Sequence, residues 1–381
     1  MIPYSRQSVS DEDITAVIDT LRSDYLTQGP VVKKFESAVA SYCGAPYAVA
    51  TVNATSALHV AMMLLSVSST DLVWVPAISF VASANCARYC GADVDFVDVE
   101  ADTGLLSLQS LAEKLEVAAR SRSLPKVLVV VHIAGQSVDM ERVLELCTPY
   151  GIRIVEDASH GLSGEFNGQR IGCCQYSDIT IFSFHPVKPL TSGEGGMLTT
   201  KDAEFAARAR RLIEHGIERD PIRHRRKDSP FWYYEQQELG FNYRLSDIHS
   251  ALGLSQLSRI DELRAARELI AAQYTGHFQA GRIKSLRINA KCRSSWHLYI
   301  IQCENRESRD KLIRVLRSEG YALNVHYLPI PSQPYYRDLG ARLSDFPQAE
   351  RYSTCSVSLP IFPGLAMNEV NRVVNLCKHS V

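Results

Sequence analysis

An α/β fold is predicted, with a large, mostly parallel sheet domain over residues 1–250 and a smaller C-terminal α/β domain over residues 251–381. Three observations carry that reading. Strand-like and helix-like segments alternate from Ala48 to Thr200, as in a sheet whose crossovers are helices. Within that series Val127–His132 is apolar without a break, which suits a strand covered on both faces. After residue 283 a shorter set of strands and helices begins again, enough for a second lobe.

Composition narrows the function. The 381 residues are 46% hydrophobic and 22% charged, an ordinary globular balance. A net charge of −1 supplies no global field for nucleic acid or a membrane surface. No apolar run approaches the ~18 residues that span a bilayer. The start, MIPYSRQSVSDEDI, has neither the basic nor the apolar region of a secretion signal, so the cytoplasm is the expected location. Ten cysteines are scattered without a C-x-x-C pair, and no metal site is expected.

The elements follow in order. Ser10–Ser23 is a helix behind a serine cap, with an acidic first turn and Ile14, Val17, Ile18 and Leu21 at helical spacing. The loop Asp24–Pro30 separates it from a helix over Val31–Tyr42. Strand Ala48–Asn53 leads to helix Ala54–Leu65, strand Leu72–Pro76 to helix Val81–Tyr89, and strand Asp93–Val99 to helix Leu105–Ala119. Val127–His132 is followed by helix Asp139–Tyr150 and strand Ile152–Glu156. Ile179–Phe184, β-branched and aromatic, is a buried strand closed by Pro186. Helix Ala203–Glu214 comes next. A long helix over Ser246–His277, weakly broken at Gly253, marks the passage between the domains. The smaller domain holds strand His297–Cys303, helix Glu307–Glu319, strand Ala322–Tyr327 and a terminal helix, Met367–His379.

Three places hold residue types with chemical use. Thr55 and Ser56 stand where a strand gives way to a helix; free N–H groups and hydroxyls there bind phosphate, or cap the helix. Glu156 and Asp157 end a strand, where parallel sheets place their ligands, though such a pair also caps a following helix. Lys188 lies between Pro186 and Pro189, ahead of Gly193, Gly195 and Gly196. Burial would lower its pKa from ~10.4 and make it an amine nucleophile. A surface lysine in a turn is the alternative. Neither G-x-G-x-x-G after a strand nor G-x-x-x-x-G-K-[ST] occurs, so dinucleotide and P-loop readings lack their fingerprints. The basic run Arg223–Lys227, beside Phe231 to Tyr234, reads as a solvated loop.

The order S-x-H-P-x-K-P-x-T-x-G-E-G-G, formed by Ser183, His185, Pro186, Lys188, Pro189, Thr191 and Gly193–Gly196, resembles the lysine segment of the DegT/DnrJ-type sugar aminotransferases. ATSAL at Ala54–Leu58 and GFNYRLSD at Gly240–Asp247 are similar to two more segments of that family, in the family's order. The resemblance implies the aspartate aminotransferase-like fold and pyridoxal 5'-phosphate as cofactor. Lys188 would form the Schiff base and shuttle the proton, and Asp157 would keep the pyridine nitrogen protonated. Thr55, Ser56, Ala57, Phe80, His160, Ser183 and Asn242 would complete the cofactor contacts. Phe80 would stack on the ring and His160 lie beside the phenolic oxygen. Asn242 would reach the phosphate of the other subunit, which implies a homodimer with shared sites. Tyr4, Tyr25, Thr27, His185, Asn324, His326 and Tyr327 would contact substrate.

HPVKP with TSGEGG, Ala54 in place of glycine and His160 in place of glutamine are similar to the pseudaminic-acid branch. That branch implies L-glutamate as amino donor and the C4 ketone of a UDP-linked 4-keto-6-deoxy-N-acetylhexosamine as acceptor. The alternative is a sibling aminotransferase acting on another nucleotide-linked keto sugar, of legionaminic acid, O-antigen or antibiotic type. A sugar dehydratase of the same family would carry histidine in place of Lys188. A non-catalytic regulator that binds the cofactor would need a DNA-binding segment, and the sequence shows no helix-turn-helix extension. The basic run could also lie near the sugar nucleotide's diphosphate across a dimer.

Overall fold

The structure is a computed structural model and describes residues 1–380. Seven strands form its central sheet: β1 (Tyr47–Thr51), β2 (Leu72–Pro76), β3 (Asp93–Val97), β4 (Val127–Val131), β5 (Arg153–Asp157), β6 (Ile179–Ser183) and β7 (Gly196–Thr200). Their order across the sheet is β1-β7-β6-β5-β4-β2-β3. The block from β6 to β3 is parallel throughout. Strand β7 runs antiparallel to both β6 and β1. It is reversed because the connection from Ser183 to Gly196 contains no crossover helix and brings the chain straight back.

Register gathers the strand ends. Asp157 pairs with Val131 and Ile181, Ser183 lies opposite Gly196, and Gly196 lies opposite Thr51. All of these positions therefore fall along one edge of the sheet, the carboxyl edge of the parallel strands, where α/β folds open a crevice.

Helices α1 (Asp11–Leu21), α2 (Pro30–Cys43), α3 (Ala54–Leu64), α4 (Ala82–Tyr89), α5 (Leu108–Ser121), α6 (Met140–Cys147) and α7 (Ala203–Leu212) surround the sheet strands in chain order. The largest core gathers Val73, Trp74 and Val75 of β2, all five residues of β4, and the buried face of α3. A second core joins α2 to the loop after β6. Phe35 is fully buried there, its ring 5.2 Å from that of Phe184. Cutting Phe35 back to alanine would cost ~3–5 kcal/mol.

Helices α8 (Asp247–Ser258) and α9 (Ile260–His277) lead to strands β8 (Ile283–Ser285), β9 (Tyr299–Cys303) and β10 (Ser356–Leu359), which form an antiparallel sheet in the order β8-β9-β10. With α10 (Arg306–Ser318), α11 (Pro347–Cys355) and α12 (Met367–Ser380), this region has its own core around Tyr274, Tyr299, Leu312 and Val370.

Two expectations are corrected. The helix expected over Ser246–His277 is two helices, and the break lies at Arg259 rather than Gly253. Arg259 leaves helical geometry while its guanidinium reaches the buried carboxylate of Asp13 at 2.7 Å. Gly253 stays helical because Phe35 packs on it, and a Cβ would come within 2.6 Å of that ring. The strand expected over Ala322–Tyr327 is confined to Tyr321–Ala322, which pairs in parallel with Ile2–Pro3. Beyond it the chain keeps one bridge, Asn324 to Ser358, and then turns so that the His326 ring nitrogen meets the Ser358 hydroxyl at 2.7 Å. The helix Pro347–Cys355 and the strands Ile283–Ser285 and Ser356–Leu359 were not among the expected elements, and most other differences are small shifts of bounds, as at the helix expected from Leu105, which starts at Leu108 behind the Ser107 cap.

No described helix is long and apolar enough to cross a membrane. Among the described residues, no group of three or more His, Cys, Asp and Glu side chains gathers as a metal site would.

Candidate active site

A cavity of about 360 Å³ opens at the carboxyl edge of the sheet. Its floor comes from the strand ends: Val131 at the end of β4, Asp157 at the end of β5 with Ser159 and His160 just beyond it, and Ser183 at the end of β6. The start of α3 supplies Asn53, Ala54 and Thr55, and the segment after β2 supplies Ser79 and Phe80. Lys188 and Glu194 enter from the loop between β6 and β7, while Tyr4, Asn324, His326 and Tyr327 close the opposite wall.

The lysine loop is tied to itself. Phe184 and Gly195 bond through their backbones, the Ser192 amide donates to the Phe184 carbonyl, and the Lys188 amide donates to that of His185. Gly193 takes the left-handed conformation at φ +80°. At Gly196 a Cβ would come within 2.5 Å of the Asn53 backbone, so a bare backbone is needed for β7 to lie against the start of α3. The glycine cluster thus sets the lysine loop beside a helix N-terminus.

Lys188 is half-buried, and loss of solvent around its amine lowers its pKa to about 8, against the opposing pull of Asp157. Near pH 8, half of such amines are neutral and nucleophilic. Asp157 is 5% exposed. One carboxylate oxygen accepts from the Ser83 hydroxyl at 2.5 Å and the other from the Ser159 amide at 3.1 Å. Ser83 is held in turn by Ser79, 2.7 Å away. A carboxylate has about four acceptor positions, so Asp157 keeps capacity for a donor in the cavity.

Behind Asp157, Glu156 lies on the other side of β5 in a buried pair with His132 at 2.7 Å. Burial alone would push its pKa up, but hydrogen bonds from His132, Ser177 and Thr180 outweigh that and hold it below the usual carboxyl range. This pair anchors the strand end that carries Asp157.

At α3, the Asn53 side chain caps the helix by accepting from the Ser56 amide at 2.8 Å. The Ala54 and Thr55 amides precede the first intrahelical bond and remain free to face an anion, which the helix dipole also favours.

The sequence-derived residues divide cleanly. Lys188, Asp157, Thr55, Phe80, His160, Ser183, Tyr4, His185, Asn324, His326 and Tyr327 all line the cavity. Ser56 and Ala57 sit just behind it, buried in the first turn of α3. Tyr25, Thr27 and Asn242 do not line it; they are exposed, with Thr27 bridged to Ser246 and Asn242 bridged to Glu214. The basic run is likewise on the surface apart from the buried His224; Arg223 pairs with Glu204 and the backbone amides of Arg225 and Arg226 point at Glu235.

Sequence reasoning missed Asn53, Ser79, Ser83, Ser159 and Glu194. The first had a usable signal, since asparagine directly before an apolar helical run is a cap and so marks the free amides after it. Ser79 and Ser83 meet Asp157 only through the folding of distant segments, and nothing local announces that.

The sequence matches the DegT/DnrJ/EryC1/StrS aminotransferase family over residues 7–378. It is 34% identical to the UDP-4-amino-4-deoxy-L-arabinose–oxoglutarate aminotransferase of Shewanella sediminis, covering 98% of this chain and 96% of that protein. The fold superposes on Helicobacter pylori PseC, an aminotransferase involved in the biosynthesis of pseudoaminic acid, with a TM-score of 0.91 at 30% identity, over 100% of this chain and 98% of PseC. The putative sugar aminotransferase Spr1654 of Streptococcus pneumoniae in its PMP form gives a TM-score of 0.91 at 30% identity, over 100% of this chain and 99% of that one; the same protein is also known in a PLP form.

Proposed function

The chain belongs to the DegT/DnrJ/EryC1/StrS family of PLP-dependent sugar aminotransferases, and from that premise we propose that it aminates the C4 ketone of a UDP-linked 4-keto-6-deoxy-N-acetylhexosamine. Glutamate is the proposed donor, and pseudaminic acid the pathway served. The observation that carries the chemistry is the meeting of Lys188 and Asp157 in one cavity beside a helix start with free amides. An amine, a carboxylate and an anion cradle are what pyridoxal phosphate requires, so the residues present fit that group. The likeness to PseC and the HPVKP–TSGEGG segment support the substrate.

Each residue then has a role. Bound pyridoxal phosphate supplies an electron sink and carries the amino group between donor and acceptor. Asp157, oriented by Ser83 and Ser159, holds a proton on the pyridine nitrogen. Phe80, which lines the cavity, would cover one face of the ring and help exclude water. The Thr55 amide and hydroxyl, with Ser183, hold the phosphate. Lys188, with its pKa lowered to about 8 by desolvation, takes and returns the proton at the reacting carbon near neutral pH. Asn324 and His326 face the sugar side of the cavity. In a homodimer, Asn242 of each chain would serve the other chain's phosphate, which agrees with its exposure here.

A panel of UDP-linked and other nucleotide-linked keto sugars, incubated with ¹⁵N-glutamate, tests the substrate. Incorporation of ¹⁵N into the UDP 4-keto-6-deoxy-N-acetylhexosamine with the highest kcat/KM is expected. Preference for a sugar on another nucleotide would move the assignment to a sibling pathway.

A further inference from the structure

His160 was expected beside the cofactor's phenolic oxygen, yet both of its ring nitrogens are engaged within the chain. Nδ1 accepts from the Ala134 amide at 3.3 Å, and Nε2 lies 3.1 Å from the Tyr327 hydroxyl. An amide N–H at Nδ1 requires a lone pair there, so the neutral imidazole carries its proton on Nε2. The ring is neutral because burial drives its pKa well below the ordinary histidine value, with Lys188 and His326 adding to the effect. At Nε2 the imidazole therefore donates and Tyr327 Oη accepts. The tyrosine's own proton must point somewhere else.

The cavity is where it can go. Tyr327 lines the same cavity as Lys188 and Asp157, its ring near-parallel to His160 at 28° and tilted against Phe80 with centroids 6.0 Å apart. The other groups facing it are Tyr4, His326, Asp157 and Tyr352, besides Lys188. Burial raises the Tyr327 pKa, and the neighbouring Tyr4 and Asp157 raise it further, so the phenol stays protonated. Burial and Lys188 lower His326 to about 3, which keeps it neutral above that pH.

We propose that Tyr327, rather than His160, presents the hydrogen-bond donor to an anionic oxygen of the group bound between Lys188 and Asp157, and that His160 is a positioning residue that fixes the direction of that hydroxyl. The proposal rests on the reading that this group is pyridoxal phosphate, whose phenolate is the anionic oxygen. A donor on the phenolate competes with the protonated Lys188 nitrogen for the same oxygen, so losing it strengthens the remaining contact and raises the pH at which that nitrogen deprotonates.

The test is a pH titration of the bound cofactor's visible absorbance in the wild type, Tyr327→Phe, His160→Leu, the double variant and His160→Gln. Calorimetric binding of pyridoxamine phosphate to each apoprotein checks that the site still folds. Tyr327→Phe should raise the midpoint by about one pH unit, a tenfold change. His160→Leu should shift it the same way, the double variant no further than Tyr327→Phe alone, and His160→Gln, which can still donate, should restore it. An unmoved midpoint in Tyr327→Phe, or additive shifts in the double variant, would overturn the proposal and make His160 the contact itself. If the wild type never develops a Lys188-dependent band, the proposal falls together with the cofactor reading beneath it.

Discussion

The floor of the cavity and the exposed surface of the segment from Ile217 to Asn242 are built on opposite terms. On the floor Asp157 is held by Ser83 and Ser159 and His160 by Ala134 and Tyr327, and behind the floor Glu156 is held by His132 and Ser177. On the surface, Phe231 is 99% and Ile222 85% exposed, and Asn242 stands open to solvent. A single chain can therefore complete the chemistry-bearing part of the site, and it leaves large apolar side chains uncovered where the proposed partner would add the rest. The contrast separates residues that must be oriented before binding from residues that need only be brought near.

Breaking the floor should give the largest effects. Lys188→Ala should lower turnover by at least ~10²–10⁴-fold, the usual worth of a positioned acid–base group, measured with saturating glutamate and keto sugar. Glu156→Ala should follow on the stability scale. Removing one member of a buried pair costs ~3–5 kcal/mol, to be read from denaturant midpoints. Because the folded Glu156 pKa lies below its unfolded value, the pair's contribution is complete above roughly pH 4.5 and is lost as pH falls further. The wild-type minus variant stability difference should shrink on acidification in that window.

The two regions meet in a mixing experiment. Lys188→Ala and Asn242→Ala variants, each poorly active alone, should regain part of the activity when mixed and allowed to exchange subunits, since one site per mixed dimer is then intact. No recovery, with exchange demonstrated, would mean that each chain works alone. The smallest effect belongs to the rim of the surface segment. Phe231→Ser should leave stability within ~0.5 kcal/mol while weakening association in sedimentation.

Much of this was legible in the sequence, for a physical reason. Asp157 and Thr55 sit at a strand end and a helix start, places that alternation in the sequence reveals, whereas Lys188 lies in a loop and was singled out by the family resemblance of its segment. The reversed direction of β7 was not legible, because direction depends on how the chain returns after Ser183 rather than on residue pattern. Ser79 and Ser83 were invisible for a similar reason: small polar residues near a helix start look like solvated caps until Asp157 is placed beside them. The helix break at Arg259 was misread at Gly253 because intrinsic propensity was outweighed by packing against Phe35 and by the pull of Asp13.

The most direct test of the account is the visible spectrum of the purified protein reconstituted with pyridoxal phosphate, before and after glutamate. A yellow band that bleaches with glutamate, is absent in Lys188→Ala, and forms on the apoprotein at a rate rising with pH to a midpoint near 8, is the predicted result. A protein that stays colourless with added cofactor, or a band indifferent both to glutamate and to Lys188→Ala, would contradict it.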